Sequence, residues 1–192
     1  VRRKLAELTA KGTHLPSLEI EVVDQIGSTS TELLRRAQRR DIHGAVLAAE
    51  WQSAGRGRRG KAWTAVAGGS LTFSIGWRYE QGAGYLAGLS LAVGVAVVKA
   101  LEAEGLAGVE LKWPNDLLLQ GRKLAGILCQ CDPAIDPHLL LAGIGLNGNF
   151  PAAALGGDLH RPAISLLDAT GRAHDLAALA RGIAQGVLAR LQ

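Results

Sequence analysis

An α+β domain, with a mixed, largely antiparallel sheet and helices packed on one side, is what this sequence predicts. Three observations carry that prediction. Apolar runs of strand length recur between turn signals, at Ala45 to Trp51, Ser70 to Trp77 and Leu139 to Gly145. Two further runs meet across Gly121-Arg122, the spacing of a hairpin with a two-residue turn. Segments of helical period interrupt the strands without alternating with them one for one, which disfavours a doubly wound parallel sheet. A length of 192 residues, 48% hydrophobic and 20% charged, suits one compact domain with a sizeable core.

The elements follow in order. Leu18 to Gln25 alternates (Ile20, Val22 against Glu19, Glu21) as a strand leading into Gly27-Ser28-Thr29-Ser30. Thr29-Ser30-Thr31-Glu32 has capping-box spacing and opens a helix whose apolar stripe is Leu33, Leu34 and Ala37. Arg35, Arg36, Arg39 and Arg40 read as its solvated face. After the strands ending at Trp51 and Trp77, joined by loop alone, Gly84 to Gly105 reads as a long helix. Its inward residues are Leu86, Leu89, Val93, Val97 and Leu101. Val109 to Trp113 is a strand stopped by Pro114, followed by the hairpin around Gly121-Arg122 and the strand Lys123 to Cys131. Asp132-Pro133 and Asp136-Pro137 mark the next turn, and Asp175 caps a last helix built on Leu176, Leu179, Ile183, Val187 and Leu191.

Composition excludes several classes. The longest apolar run, Tyr85 to Val98, is shorter than the ~20 residues that span a bilayer, and no signal-peptide pattern opens the chain. Cys129 and Cys131 lack the second half of any zinc pattern and read as small hydrophobes, which fits a reducing cytoplasm.

Three constellations carry chemistry. The loop Gly55-Arg56-Gly57-Arg58-Arg59-Gly60-Lys61 holds four cations, equal to the formal net charge of +4. Its glycines permit close backbone approach, and its arginines match phosphate or carboxylate oxygens. It formally fits a dinucleotide-binding pattern, but no helix follows it; an RNA-binding patch would need stacking aromatics inside the loop, where Trp51 and Trp63 stand only at the edges. A merely solvated loop is the remaining reading. In Lys112-Trp113-Pro114-Asn115-Asp116, Asp116 either orients an amine or a magnesium ion, or simply makes turn bonds. Lys123 either reaches across a groove towards the arginine loop or snorkels, and Gly126 in a strand interior marks close approach of a ligand or of another backbone.

Taken in order, Gly27-Ser28-Thr29, Gln52 to Gly60, Lys112 to Asp116, Gly121 to Leu128 and Gly143-Ile144-Gly145-Leu146-Asn147 closely resemble the biotin protein ligase family, from about Ile20 to the last helix. The resemblance implies a class II aminoacyl-tRNA synthetase-like fold and a two-step reaction. Biotin and ATP, with Mg²⁺, give biotinyl-5′-adenylate; biotin then passes to a lysine of the biotin carboxyl carrier protein of acetyl-CoA carboxylase. By similarity, Lys123, Arg58 and Asp116 are the catalytic residues. The substrate is held by Ser28, Thr29, Ser30, Gln52, Gly55, Arg56, Gly57, Arg58, Trp63, Asn115, Lys123, Gly126 and Gly145. Ser30 stands where many relatives have Asn. Lipoate or octanoate ligation, or biotin binding without catalysis, are the competing readings. Residues 1–192 are expected to form the catalytic domain alone, without an N-terminal helix-turn-helix or a C-terminal SH3-like domain. Operator binding is therefore not expected, and homodimers, common in the family, are possible.

Overall fold

A computed structural model describes residues 18–79, 86–156 and 162–191. Glu80, Gly84, Tyr85 and the segment before Leu18 lie outside them, as do the side chains of Leu86 and Leu191. Seven strands form one sheet: β1 (Glu19–Ile26), β2 (Ala45–Gln52), β3 (Leu71–Arg78), β4 (Val109–Lys112), β5 (Asp116–Leu119), β6 (Arg122–Gln130) and β7 (Leu139–Leu146). Their order is β1-β2-β3-β7-β6-β5-β4; only β1 and β2 run parallel, and every other neighbouring pair is antiparallel. Four α-helices are described: α1 (Thr29–Ala37), α2 (Leu86–Ala103), α3 (Leu166–Thr170) and α4 (Leu176–Leu191).

Alternation along each strand divides the sheet into two faces. Val46 and Ala48 of β2, with Leu140, Ala142, Ile144 and Leu146 of β7, join the main core under α2 and α4. Their neighbours Ala45, Leu47, Leu139 and Leu141 pack with Leu33 of α1 and Ile42 in a smaller cluster on the other face. The two long helices thus share one side, as expected, while short α1 shields one part of the opposite side. Each fully buried Leu or Ile of these clusters contributes on the order of 1.5–3 kcal/mol. The helices α2 and α4 approach closely because small residues face each other; a Cβ on Gly186 would lie 3.2 Å from that of Ala96.

Local departures from expectation each have a cause. Ser28 is the N-cap of α1, but its hydroxyl meets Ser30 Oγ at 3.1 Å instead of capping. The expected capping box at Thr29 does not form, because the Glu32 carboxylate is taken by Arg35 and Arg36. The face is solvated as expected at Arg35, Arg39 and Arg40, and those two pairs, with Arg36 also bonded to Glu21 and Arg40 to Glu19, add a charge ladder tying α1 to β1. Hydrogen bonds from Arg35 first and Arg36 second hold the Glu32 carboxyl well below the usual carboxylate range, at about 2, against the opposing effect of burial. The hairpin turn lies at Gln120-Gly121, one residue before the expected pair; both have positive φ (53° and 71°), so Arg122 is free to pair with Leu119. The β2–β3 connection holds a single 3-10 turn at Arg58–Gly60. Helix α3, too short to show a period, was not foreseen; Ser165 caps it through Asp168 N. Asp175 caps α4 as expected, accepting from Ala177 N and Ala178 N.

Candidate active site

On the α1 face the sheet runs out of side chains. Gly143 and Gly145 continue the positions of Leu139 and Leu141 along β7, and Gly126 of β6 is the register partner of Gly145. The result is a flat floor, and above it opens a cleft of about 730 Å³. The indole of Trp63 lies across this floor. A Cβ on Gly145 would meet its Cζ2 at 2.6 Å, and one on Gly126 its Cζ3 at 3.1 Å. Both glycines are therefore needed for approach, as the interior Gly126 suggested, with an aromatic ring as the approaching group. Trp63 Nε1 is buried and has no hydrogen-bond partner among the described residues, a donor aimed where a ligand acceptor would satisfy it.

One end of the cleft is a polar corner. Gln52 Oε1 accepts from Thr29 N (2.7 Å) and Thr29 Oγ1 (3.1 Å). The Thr29 hydroxyl also meets Ser74 Oγ at 2.8 Å. A backbone N–H can only donate, so the Gln52 carboxamide is fixed with its oxygen towards α1 and its Nε2 left for the cleft. Ser28, Thr29, Ser30, Gln52 and Ser74 are all at most 9% exposed, so these donors and acceptors sit in a dry environment that makes each hydrogen bond count.

The other end is cationic. Lys123 Nζ lies 2.8 Å from Asp116 Oδ1 and 5.5 Å from the Trp63 ring centre. The lysine therefore does reach over the groove, but its partner is the carboxylate across the hairpin and not the arginine loop. Asp116 begins β5, opposite Gly126, which is how its side chain meets the start of β6. The loop is closed at its base by Trp63 N donating to Gly55 O and by Gly57 N donating to Lys61 O. Gly55 is required there, since any Cβ would run into the Trp63 carbonyl. Arg58 Nη1 donates to Asn115 Oδ1 (3.4 Å), whose Nδ2 in turn holds Ile127 O, and Arg56 reaches Thr31 Oγ1 at 3.5 Å.

The fold thus gathers Ser28, Thr29, Ser30, Gln52, Arg56, Gly57, Arg58, Trp63, Asn115, Asp116, Lys123, Gly126 and Gly145 around one cavity; Gly55 shapes its loop without lining it. Among the lining residues that were not expected, two carry polar groups that shape the site. Ser74 is the last of three hydroxyls alternating along the chain, after Ser70 and Thr72, and that period-2 pattern was the signal that could have found it. Asn147 donates from Nδ2 to Lys123 O (3.2 Å) and Ile164 O (3.1 Å), clamping the lysine's backbone. Cys129 belongs to the opposite face, where burial pushes its thiol up to about 12 and keeps it unreactive. Among the described residues no three His, Cys, Asp or Glu converge as metal ligands, and no helix is long and apolar enough to cross a membrane.

Comparison with known proteins places this geometry. The bifunctional ligase/repressor BirA of Escherichia coli is 42% identical over 129 residues, covering 67% of this chain and 40% of that protein. The biotin–[acetyl-CoA-carboxylase] ligase of Mycobacterium tuberculosis is 46% identical over 137 residues, covering 67% of this chain and 49% of its own length. The chain therefore spans less than half of these two relatives. The solved biotin protein ligase of Aquifex aeolicus in complex with biotin and ATP superposes with a TM-score of 0.75 at 27% identity, over 90% of this chain and 70% of that one. The family model for biotin/lipoate A/B protein ligases matches residues 22–147, and with a cleft of this build the chain belongs to that family.

Proposed function

We propose that this chain is the catalytic domain of an ATP-dependent biotin protein ligase. The observation that carries the reading is the cleft's division into a buried polar corner and a cationic end, separated by a glycine floor under Trp63. A cyclic urea has both N–H donors and a carbonyl acceptor. Thr29, Gln52 and Ser74 supply matching groups at one end, whereas the saturated tail of octanoate would leave them unpaired at about 1–3 kcal/mol each. Relatives named for biotin ligation to acetyl-CoA carboxylase, and the Aquifex structure with biotin and ATP, support the same choice.

Chemistry follows from the cationic end. The biotin carboxylate oxygen attacks the α-phosphorus of ATP, and pyrophosphate leaves. Negative charge concentrates on the phosphoryl oxygens in the transition state, and Lys123, Arg58 and Arg56 are the cations that would meet it. Mg²⁺ enters as the counter-ion of ATP; Asp116 is the one carboxylate among the described lining residues and is already paired with Lys123. In the second step the lysine amine of a carboxyl carrier protein attacks the acyl carbon and AMP leaves. Asp116, once Lys123 turns to phosphate, orients that amine and takes its proton. Trp63 and the arginine loop cover the mixed anhydride and keep water from it. The two free cysteines, Cys129 and Cys131, are compatible with a reducing cytoplasm as the place of the reaction.

Exchange of labelled pyrophosphate into ATP tests the reading, with biotin, lipoate and octanoate in parallel. Exchange with biotin alone is expected. Equal exchange with octanoate would overturn the assignment of the polar corner, and biotin binding without exchange would make the chain a binding module.

A further inference from the structure

Among the described residues three large hydrophobic side chains are exposed: Leu91 (37%), Val95 (39%) and Trp113 (71%). They share one region of the surface. Ser90 Oγ donates to Pro114 O at 2.8 Å, which pins α2 beside the Trp113-Pro114 turn, and Leu91 is the next residue of that helix. Val95 follows one turn along the same face of the helix, and Gly94 between them packs on Leu111 of the edge strand β4. Trp113 is also the point at which this patch reaches the rim of the cleft.

The turn that presents Trp113 is rigid. Asn115 exchanges two bonds with Ile127, its O accepting from Ile127 N at 2.9 Å and its Nδ2 donating to Ile127 O at 2.9 Å. An exposed indole carried on a hydrogen-bonded turn at the mouth of a buried site has the character of a binding anchor, because Trp buries a large area at little loss of side-chain freedom. The surroundings define its partner. Lys112 adjoins it, and Arg58, Arg59 and Lys61 stand exposed across the cleft mouth, against Glu110 alone among the acidic residues of β4. The Lys99–Glu102 pair on α2 cancels itself.

Resting on the biotin ligase reading, we propose that Trp113, Leu91 and Val95 form the docking patch for the acceptor protein. That partner would present an apolar residue flanked by acidic groups beside the lysine it offers to the cleft. Only a partner that must insert an amine needs both the patch and the rim. The small substrates use the cleft interior and have no use for Leu91 and Val95 on the back of the turn.

The test uses an acetyl-CoA carboxylase carrier domain as acceptor, with Leu91→Glu, Trp113→Ala and Trp113→Phe. Biotin-dependent pyrophosphate exchange reads the first step, and biotin incorporation against carrier concentration reads the second. Leu91→Glu and Trp113→Ala are expected to leave exchange within about twofold of wild type while raising KM for the carrier about tenfold or more, the loss of one anchor at about 1.4 kcal/mol. Trp113→Phe should recover most of it. High salt should raise the wild-type KM as rim charges are screened. An unchanged carrier KM in Leu91→Glu and Trp113→Ala, with a wild type that exchanges pyrophosphate, would overturn the docking patch alone. So would a raised KM for ATP in Trp113→Ala, which would mean base stacking, or a wild-type dimer in sedimentation that Leu91→Glu dissolves, which would make a second copy the occupant. A wild type that neither exchanges nor transfers would overturn the ligase reading, and the docking patch with it.

Discussion

Replacing Gly145 by alanine tests the cleft at its tightest point. The added methyl would sit 2.6 Å from Trp63 Cζ2 and 2.7 Å from Nε1, against the ~3.5–4.0 Å of ordinary carbon contact, a shortfall of about 1 Å. The indole cannot retreat freely, since its backbone N–H is held by Gly55 O at 2.9 Å and the ring lies on the sheet. Overpacking of this kind costs roughly 1–3 kcal/mol, and about 2 kcal/mol is a factor of about 30 in an equilibrium constant. Trp63 is therefore driven into the space a ligand needs, and KM for biotin in pyrophosphate exchange should rise about 30-fold. Gly126→Ala is the internal standard. Its methyl would meet Cζ3 at 3.1 Å, a contact that a few tenths of an ångström of movement relieves, so an increase of only about three- to fivefold is expected. Alanine is the better strand residue by ~0.5–1 kcal/mol, so neither protein should lose thermal stability beyond the collision itself. Equal KM values for the two variants, or a wild-type KM in Gly145→Ala, would refute the placement of the indole on the floor.

Three further outcomes are expected. Thr29→Val keeps shape but deletes the hydroxyl bonded to Gln52 and Ser74, and calorimetry should show biotin affinity down about tenfold with octanoate affinity unchanged. Lys123→Ala removes the ion-pair partner of Asp116 and, on the proposed reading, a cation that meets the reacting phosphate; pyrophosphate exchange should fall about 10²–10³-fold while circular dichroism stays native. Glu32, whose folded pKa is depressed from 4.5 to about 2, stabilises the protein fully above pH ~4.5, and that contribution is lost as pH falls towards 2. Thermal unfolding of Glu32→Gln should therefore start lower at pH 6 and converge on wild type near pH 2.

Much of the fold was legible because its signals are local. Strand runs, the last helix and the Asp175 cap each depend on residues a few positions apart. The hairpin slipped by one residue because Gly121 fits either register, and only the pairing of Leu119 with Arg122 decides between them. Arg35, Arg39 and Arg40 are solvated as read, but the pairing of this face with β1 was not legible because Glu19 and Glu21 lie on another element. In the site, the glycine and arginine motifs were readable as types, and the cleft draws them together. Ser74 and Asn147 were not singled out as site residues because the alternation of Ser70, Thr72 and Ser74, and the motif ending at Asn147, do not say which face each takes until the sheet is formed. The partner of Lys123 was likewise fixed by pairing of β5 with β6, which no spacing rule gives.

Alternation along β7 sets two histories side by side on one strand. Leu140, Ala142, Ile144 and Leu146 answer to the core beneath α2 and α4, while Gly143 and Gly145 answer to whatever the cleft must admit. In the second half of the strand the two sets of positions thus meet separate physical demands. A lineage can exchange groups on the cleft side, and so drift towards another acyl substrate, without spending the apolar contacts that keep the sheet folded.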